Sequence, residues 1–293
     1  MSYDVVFIGN YTKDTIVSPT GTRVVDGGGF NYGAHVAAMM GLKTAAVTRL
    51  AAADRHVVEA LERVKVTVLA TYVPHSTCLT LYYPGQDPDR RVITVKQSAG
   101  SFTPEQVRLL TARAFVINGS IRGEVGLEVI AELRRKEAML AADVQGFLRV
   151  PGPDGELKAA PWPERDEVLA VLDILKADAV EAAALTGESD LARAARRLAG
   201  WGPKEVVLTD REGVLVWAEG RIRTERFRPR QMVGRSGRGD TCIAAYVCAR
   251  LSWPPEEATR WAAAVTSLKL EAEGPLGCSR QQVEALLREA YSG

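Results

Sequence analysis

A short glycine-rich stretch directly before an apolar segment is the part of the sequence best suited to chemistry. It comprises Gly237, Arg238, Gly239 and Asp240, and the helix-like segment "TCIAAYVCARL" follows it. The first backbone N–H groups of a helix lack partners within the helix and carry partial positive charge. Glycines would let a ligand approach these groups closely, which predicts an anion hole suited to a phosphoryl group in transfer. Asp240 at the same end could accept the proton of an attacking hydroxyl.

The same stretch has a simpler interpretation, in which a turn is followed by an ordinary helix N-cap. Arg238 likewise has two interpretations. Its side chain could point into solvent, or it could contact the transferred phosphate and stabilise charge in the transition state. The choice between these interpretations depends on the other motifs of the chain.

The elements that would position this stretch alternate between strand and helix. Short apolar strands are predicted at "YDVVFIG", "AFVING", "AMLAADV", "VLDILKA" and "EVVLTD", with amphipathic helical segments between them. Three helices are predicted near the end, at about 240–252, 255–272 and 280–290. Such alternation is typical of a parallel sheet covered on both faces. We therefore expect an α/β fold, a three-layer α/β/α sandwich with a mostly parallel central sheet, formed by one domain over residues 1–293.

Two strand-rich segments, at about 12–26 and 66–97, interrupt the alternation. The first reads as a hairpin, and the second contains "VTVLATYV", "TCLTLYY" and "RRVITV" with a turn in "YYPGQDPDRR". Together they predict a small antiparallel β-sheet inserted as a lid over a site at the carboxyl ends of the central strands. The exposed edge of this lid would also suit a homodimer.

The composition narrows the class of partner. The 293 residues carry a formal net charge of +1, which favours neither nucleic acid nor an anionic membrane. No apolar run reaches the roughly 18 residues that span a bilayer, and the start of the chain does not resemble a signal peptide. The four cysteines and three histidines are scattered, which argues against a zinc site. We therefore expect a cytoplasmic protein with a small-molecule ligand.

Taken together, the motifs resemble the ribokinase-like (PfkB) family of carbohydrate kinases over nearly the whole chain. The stretch "GRSGRGD" is similar to that family's second signature, Asp-Thr-x-Gly-Ala-Gly-Asp, which opens a helix. The resemblance implies that Asp240 is the catalytic base and that the backbone from Gly237 to Asp240 forms the anion hole.

The acceptor side carries the same resemblance. "GGGFNYGAHVAAMMG" is similar to the family's first signature, and it implies that Gly28, Gly29 and Asn31 bind the sugar. "FIGNYTKDTIV" is similar to the family's first strand, and it implies that Asp14 hydrogen-bonds substrate hydroxyls. Each motif alone could be a turn or a tight strand–helix connection.

The donor side resembles the family with some departures. "ILKADAVEAAALTG" is similar to the Asn-x-x-Glu segment that orders Mg²⁺ and phosphate, with Glu181 kept and Asp178 in place of Asn. "VVLTDREGVLVW" is similar to the nucleotide loop, with Thr209 and Gly213 matching. The resemblance implies ATP as donor, Mg²⁺ as cofactor, and an adenine site between this loop and the helix that carries Ala263, Ala264 and Ser267.

Within the family, three stretches look like those of myo-inositol kinases. They are "GNYTKD", "ADVQGFLRV" and "LKADAVEA", and the second implies that Gln145 and Arg149 bind substrate beside Asp143. These three residues could equally form an ordinary polar loop. The expected function is transfer of the γ-phosphoryl group of ATP to a polyol or sugar hydroxyl, with myo-inositol foremost. The alternatives are a kinase for another sugar or a nucleoside, and a non-catalytic sugar or nucleotide sensor.

One departure concerns monovalent cations. The leading Asp of the second signature commonly helps to bind such a cation near the anion hole, and Gly234 stands in its place here. Because glycine has no side chain to offer, we expect weak or absent activation by K⁺.

Overall fold

A nine-stranded sheet forms the centre of the computed structural model, which describes residues 2–85 and 91–291. Seven neighbouring strands run parallel, and the last two at one edge are antiparallel. In spatial order the strands are β15 (Arg221–Arg226), β14 (Gly213–Ala218), β13 (Glu205–Thr209), β12 (Ile174–Asp178), β9 (Met139–Asp143), β8 (Thr111–Ile117), β1 (Ser2–Ile8), β4 (Thr44–Ala51) and β5 (Thr67–Val73).

The sheet is apolar on both faces because helices cover both. In β1, Val5 and Phe7 face one core, whereas Val6 and Ile8 face the other, as the two-residue period of a strand requires. One layer contains α1 (Gly29–Met39), α2 (His56–Arg63), α9 (Arg238–Arg250), α10 (Pro255–Leu270) and α11 (Arg280–Ala290). The other contains α3 (Glu105–Arg108), α4 (Leu127–Arg134), α5 (Gln145–Leu148), α6 (Arg165–Leu169), α7 (Ala179–Thr186) and α8 (Leu191–Ala199). The predicted three-layer α/β/α sandwich is confirmed.

Helix α9 is enclosed along most of its length. Every residue from Thr241 to Ala249 is buried, because α1, α10 and the sheet surround it. A helix held this firmly fixes the position of its own first turn. In the part of the chain that the structure describes, no helix is long and apolar enough to cross a membrane.

A second, four-stranded sheet forms the lid. Its order is β3 (Gly21–Asp26), β2 (Thr12–Ser18), β6 (Thr77–Tyr82) and β7 (Val92–Gln97). Its apolar side chains Leu79 and Leu81 form a small core with Ile121 of the body. A two-stranded sheet, β10 (Arg149–Pro151) and β11 (Leu157–Ala159), lies beside β7.

The lid differs from the sequence prediction in two respects. Residues 67–73 form β5, an edge strand of the central sheet parallel to β4, so the prediction of a lid segment from 66 was wrong there. The lid is also mixed, because β2 and β6 pair in parallel. The strand-like pattern of β5 does not reveal which sheet it joins, since both sheets accept a half-buried strand. The predicted turn falls largely on 86–90, outside the described residues, and the homodimer through the lid stays a prediction.

Candidate active site

The N-terminus of α9 exposes its backbone rather than a capping side chain. Gly237 is the N-cap residue, with φ +77° and no side-chain hydrogen bond to the first turn. A β-carbon at Gly237 would overlap the ring of Tyr32, and one at Gly239 would lie 2.6 Å from the Lys176 Nζ. Glycine is therefore required at Gly237 by both conformation and space. The interpretation of Asp240 as an ordinary N-cap is wrong, because that position belongs to Gly237.

Asp240 lies on the first turn of α9 and points towards the opposite wall of the site. Its Oδ1 lies 2.5 Å from where a β-carbon of Gly29 would stand, and the Gln145 Nε2 donates to it at 3.4 Å. Burial raises the pKa of the Asp240 carboxyl, and the positive charges of Lys176 and Arg149 partly offset that rise. The carboxylate is thus a stronger base than an exposed aspartate.

Lys176 is a site residue that sequence reasoning missed. Its side chain is 5 % exposed, and its Nζ pairs with the Asp143 Oδ2 at 2.8 Å and lies 4.0 Å from the Glu181 Oε2. Burial alone would lower the pKa of this ammonium, but Asp143, Glu181 and Asp178 outweigh burial and raise it. A lysine within the otherwise apolar run "DILKA" is the signal that could have found it, since lysine is almost never fully buried without a partner.

Glu181 and Asp178 form the reciprocal cap of α7. The Glu181 N–H donates to the Asp178 Oδ1 at 2.8 Å, and the Asp178 N–H donates to the Glu181 Oε2 at 2.9 Å. Arg149 donates to the Glu181 Oε1 at 3.2 Å. These two carboxyls, Arg149 and Lys176 therefore form one charged group beside the first turn of α9.

The carboxyl groups of Asp178 and Glu181 determine how Mg²⁺ could be bound. Among residues 2–85 and 91–291, no three His, Cys, Asp or Glu side chains come together as a metal site. Both oxygens of Glu181 already accept hydrogen bonds from the protein. Because Mg²⁺ usually binds through phosphates and water with one or two carboxylates, Asp178 and Glu181 fit an indirect role.

Asp14, on β2, forms the opposite side of the site. It is 6 % exposed, its Oδ1 has no partner among the described residues, and its Oδ2 lies against Gly27 and Thr12. Burial raises the pKa of Asp14 to about 6, and the nearby Asp240 adds to the rise. An unpartnered buried carboxylate oxygen is an acceptor for a ligand hydroxyl.

The start of α1 closes this side. Gly28 has φ +94°, and a β-carbon there would lie 2.7 Å from the carbonyl oxygen of Asn10. Gly29 has no room for a side chain because Asp240 and Asn118 lie against it. The Asn31 Nδ2 donates to the backbone carbonyl of Asp26 at 3.4 Å, at the end of lid strand β3.

Three further polar residues were not predicted: Asn10 and Asn118 lie beside Gly28 and Gly29, and Glu124 contacts Asn10. All three are buried, and Asn10 and Asn118 each have a side-chain oxygen without a partner among the described residues. Burial raises the pKa of Glu124 to about 7, and the Ser120 N–H donates to its Oε2 at 2.7 Å. Asn10 and Asn118 follow the carboxyl ends of β1 and β8, where ligands of parallel sheets bind. Their position just after these strands is the sequence feature that could have identified them as site residues.

The four residues predicted to bind a nucleotide lie on β13, β14 and α10. Thr209 ends β13 and Gly213 begins β14, where it pairs with Arg226 of β15. Ala264 and Ser267 are both 0 % exposed inside α10. Thr209 pairs with Asp178 of β12, next to the charged group that contains Lys176.

Residues 226–228 contact both of the predicted adenine walls. The Phe227 N–H donates to the Glu212 carbonyl at 2.7 Å, and the Arg228 N–H donates to the Ser267 Oγ at 2.8 Å. The Tyr291 hydroxyl lies 3.0 Å from the Ser267 Oγ. Residues 226–228 thus connect the loop at 210–213 to α10, and Tyr291 covers the junction.

We predict that Asp14→Asn raises the free energy of unfolding at pH 7. The carboxyl has a pKa of about 6 in the folded protein against 3.8 for a free side chain, so its ionisation costs about 3 kcal/mol at neutral pH. A raised folded pKa means that stability is full below pH 3.8 and is lost as the pH rises to about 6. Urea denaturation should therefore show a gain at pH 7 that shrinks towards pH 4.

Asp54→Asn is the matched control with the opposite sign. Burial would raise the pKa of Asp54, but hydrogen bonds from Ser76 and Lys13 outweigh burial and lower it. Its contribution is present at neutral pH and lost as the pH falls, so the variant should be less stable at pH 7. A variant of Asp14 no more stable than the wild type at pH 7 would show that its carboxylate is already satisfied.

Helix N–H groups, a partly buried carboxylate and neighbouring cations are the parts that phosphoryl transfer to a hydroxyl requires. Fold and site together define a ribokinase-like phosphotransferase with a hydroxyl acceptor. The family model "pfkB family carbohydrate kinase" matches residues 4–282, and the chain belongs to this family.

Similar proteins of known structure cover almost the whole chain. A pyrophosphate-dependent ribokinase-family kinase complexed with a pyrophosphate analogue and myo-inositol is 33 % identical, with a TM-score of 0.88, over 96 % of this chain and 99 % of that one. The sulfate complex of a pyrophosphate-dependent kinase of this family is 35 % identical, with a TM-score of 0.89 and the same coverage. The cytidine kinase of Thermococcus kodakarensis is 29 % identical over 83 % of this chain and 87 % of its own length.

Proposed function

We propose that the protein transfers a phosphoryl group from pyrophosphate to a hydroxyl of myo-inositol. The observation that carries the choice of donor is that residues 226–228 contact both predicted adenine walls, at Glu212 and at Ser267. The similarity to pyrophosphate-dependent kinases, one of them complexed with myo-inositol, supports both parts of the proposal. Pyrophosphate thus replaces the ATP expected from the sequence.

A donor without a nucleoside must be bound by its phosphates alone. The first turn of α9 offers backbone N–H groups, and Lys176 and Arg149 supply positive charge beside them. Arg91, next to lid strand β7, is near enough to lower the pKa of both Asp14 and Asp240, so it adds positive charge to the site from the lid side. These groups suit a compact, highly charged anion.

The acceptor side suits a ligand with hydroxyls in several directions. Unpartnered oxygens of Asp14, Asn10 and Asn118 lie in the buried part of the site. Buried polar atoms are rarely left without partners, so a polyol that pairs with them is favoured over a mostly apolar ligand. The cyclic hexol myo-inositol can donate to acceptors around its whole ring.

The chain's own residues account for the steps of the transfer. Asp14 and Asn118 hold the acceptor, and Gln145 fixes the Asp240 carboxylate through its hydrogen bond. Asp240 takes the proton of the attacking hydroxyl, since burial strengthens it as a base. The N–H groups of α9 and the Lys176 ammonium stabilise the developing negative charge, while the lid excludes water. Mg²⁺, when bound by the donor's oxygens, would supply further charge neutralisation.

The experiment is a comparison of donors and acceptors with Mg²⁺ present. Pyrophosphate and ATP are each offered with myo-inositol, ribose, fructose and cytidine, and phosphoester formation is measured directly because ADP release would miss pyrophosphate. We expect the fastest turnover with pyrophosphate and myo-inositol. Turnover with ATP but not with pyrophosphate would overturn the choice of pyrophosphate as donor. A preference for cytidine as acceptor would favour a nucleoside kinase, the activity named for one relative.

A further inference from the structure

The buried lysine at the end of α10 has no part in the phosphoryl transfer described above. Lys269 is 1 % exposed, and its Nζ donates to the carbonyl oxygens of Gly234 at 3.0 Å and Ala272 at 3.2 Å. Within residues 2–85 and 91–291 its hydrogen-bond partners are these two carbonyls and no carboxylate. Burial lowers the pKa of Lys269 to about 8, so the ammonium remains the main form at neutral pH.

The two carbonyls belong to different segments, which the ammonium joins. Ala272 follows the last turn of α10, whereas Gly234 begins the loop that leads to α9. The N–H groups of Val233 and Gly234 donate to the Leu270 carbonyl at 2.8 and 3.1 Å, and the Ala272 carbonyl lies against the Gly234 Cα. The loop is thus fixed to the carbonyl end of α10, where negative partial charge favours a cation.

The loop that is fixed at Gly234 leads directly to the anion hole. Three residues after Gly234 it reaches Gly237, which lies against the ring of Tyr32. The Lys269 Nζ lies 5.8 Å from the centroid of the same ring, within the range of a cation–π contact. Tyr32 is therefore held between the ammonium and the residue that begins the anion hole.

We propose that Lys269 is a built-in monovalent cation that positions the anion hole through the loop from Gly234 to Gly237. Its charge and its backbone carbonyl partners are those that bound K⁺ or NH₄⁺ would have. A tethered ammonium needs no cation from solution, which gives a physical reason for the weak or absent K⁺ activation expected from the sequence. The inference rests on the proposed function for its kinetic readout only.

The test removes the ammonium and offers a free cation in its place. Lys269→Ala leaves the carbonyls and a space, and we expect turnover to fall about 10- to 100-fold, because misplacing a catalytic group by about 1 Å costs up to about 10²-fold. KCl or NH₄Cl should restore part of this loss, whereas tetramethylammonium chloride, which is too large, should not. Lys269→Met fills the space and should lose turnover without rescue. Wild-type turnover should not respond to any of the three salts.

Lys136→Ala is the matched control. Its Nζ also donates to a backbone carbonyl, that of Arg108 at 2.7 Å, but it lies after α4 and away from the site. This variant should keep wild-type turnover and show no response that distinguishes K⁺ or NH₄⁺ from tetramethylammonium.

Thermal unfolding in the same salts gives a readout independent of activity. K⁺ or NH₄⁺ should raise the melting temperature of Lys269→Ala above its value in tetramethylammonium chloride, and should not do so for the wild type. Three results would each overturn the inference. The first is normal turnover in a folded Lys269→Ala variant, and the second is that neither K⁺ nor NH₄⁺ restores turnover to this variant. The third is activation of the wild type by K⁺. A variant that folds only with NH₄⁺ or K⁺ supports it, and one that folds in none of the salts overturns it. If the wild type transfers phosphate to no acceptor, the proposed function fails, and the melting temperatures still decide the role of Lys269.

Discussion

Replacing Asp240 with Asn is expected to lower turnover by about 10²- to 10⁴-fold, the usual contribution of a general base. The amide keeps the shape of the side chain and can still contact Gln145, so binding of donor and acceptor should change little. Steady-state kinetics separates these effects, because kcat should fall while KM stays close to the wild-type value. Wild-type kcat should also fall on acidification at a pH above the ordinary aspartate range, because burial raises the pKa of Asp240.

Asp190→Asn is the control for Asp240→Asn. Asp190 caps α8 by accepting from the Arg193 N–H at 2.8 Å, far from the site. This variant should keep wild-type kcat and lose little stability, because Asn caps a helix about as well as Asp does. Near-normal kcat in Asp240→Asn would remove Asp240 from the mechanism, whatever the stability of the variant.

Lys176→Met is expected to damage both stability and turnover. It leaves the Asp143 carboxylate without its ion-pair partner in a fully buried position, and breaking a buried pair from one side costs about 3–5 kcal/mol. It also removes the cation beside the first turn of α9, where loss of a stabilising group costs about 10²- to 10³-fold in kcat. Chemical denaturation and kinetics on the same preparation measure the two effects.

A second substitution separates these two effects. Asp143→Asn combined with Lys176→Met removes the uncompensated charge, so stability should recover while turnover stays low. Lys204→Met breaks an exposed pair with Asp173 and should cost at most about 1 kcal/mol without affecting kcat. Recovery of kcat together with stability in the double variant would show that Lys176 acts only on folding.

The sequence was sufficient for features set by local pattern. The alternation of short apolar strands with helical segments predicted a sheet covered on both faces, and the apolar run after Asp240 predicted a helix, because both follow from the local spacing of apolar residues. The same local reasoning misplaced residues 67–73, since a half-buried strand has one pattern whichever sheet it joins. Thr209 and Ser267 fitted a nucleotide motif, but the intervening position of residues 226–228 depends on tertiary contacts that no motif contains.

The residues missed at the site share a physical reason. Lys176 and Asn118 each stand at or near the end of an apolar strand, where a single polar residue looks like a strand terminus. Their importance comes from burial beside the start of α9 and α1, which brings together segments more than 50 residues apart. Lys269 is similar, because its partners, Gly234 and Ala272, meet only when the last turn of α10 packs against the loop before α9.

The most direct measurement is ³¹P NMR of the wild-type protein with Mg²⁺, pyrophosphate and myo-inositol. Phosphoryl transfer should produce one phosphomonoester and one orthophosphate for every pyrophosphate consumed, and Asp240→Asn should suppress both signals. Orthophosphate without an ester would show hydrolysis rather than transfer. An unchanged pyrophosphate signal beside rapid phosphorylation of myo-inositol by ATP would contradict the assignment of the donor.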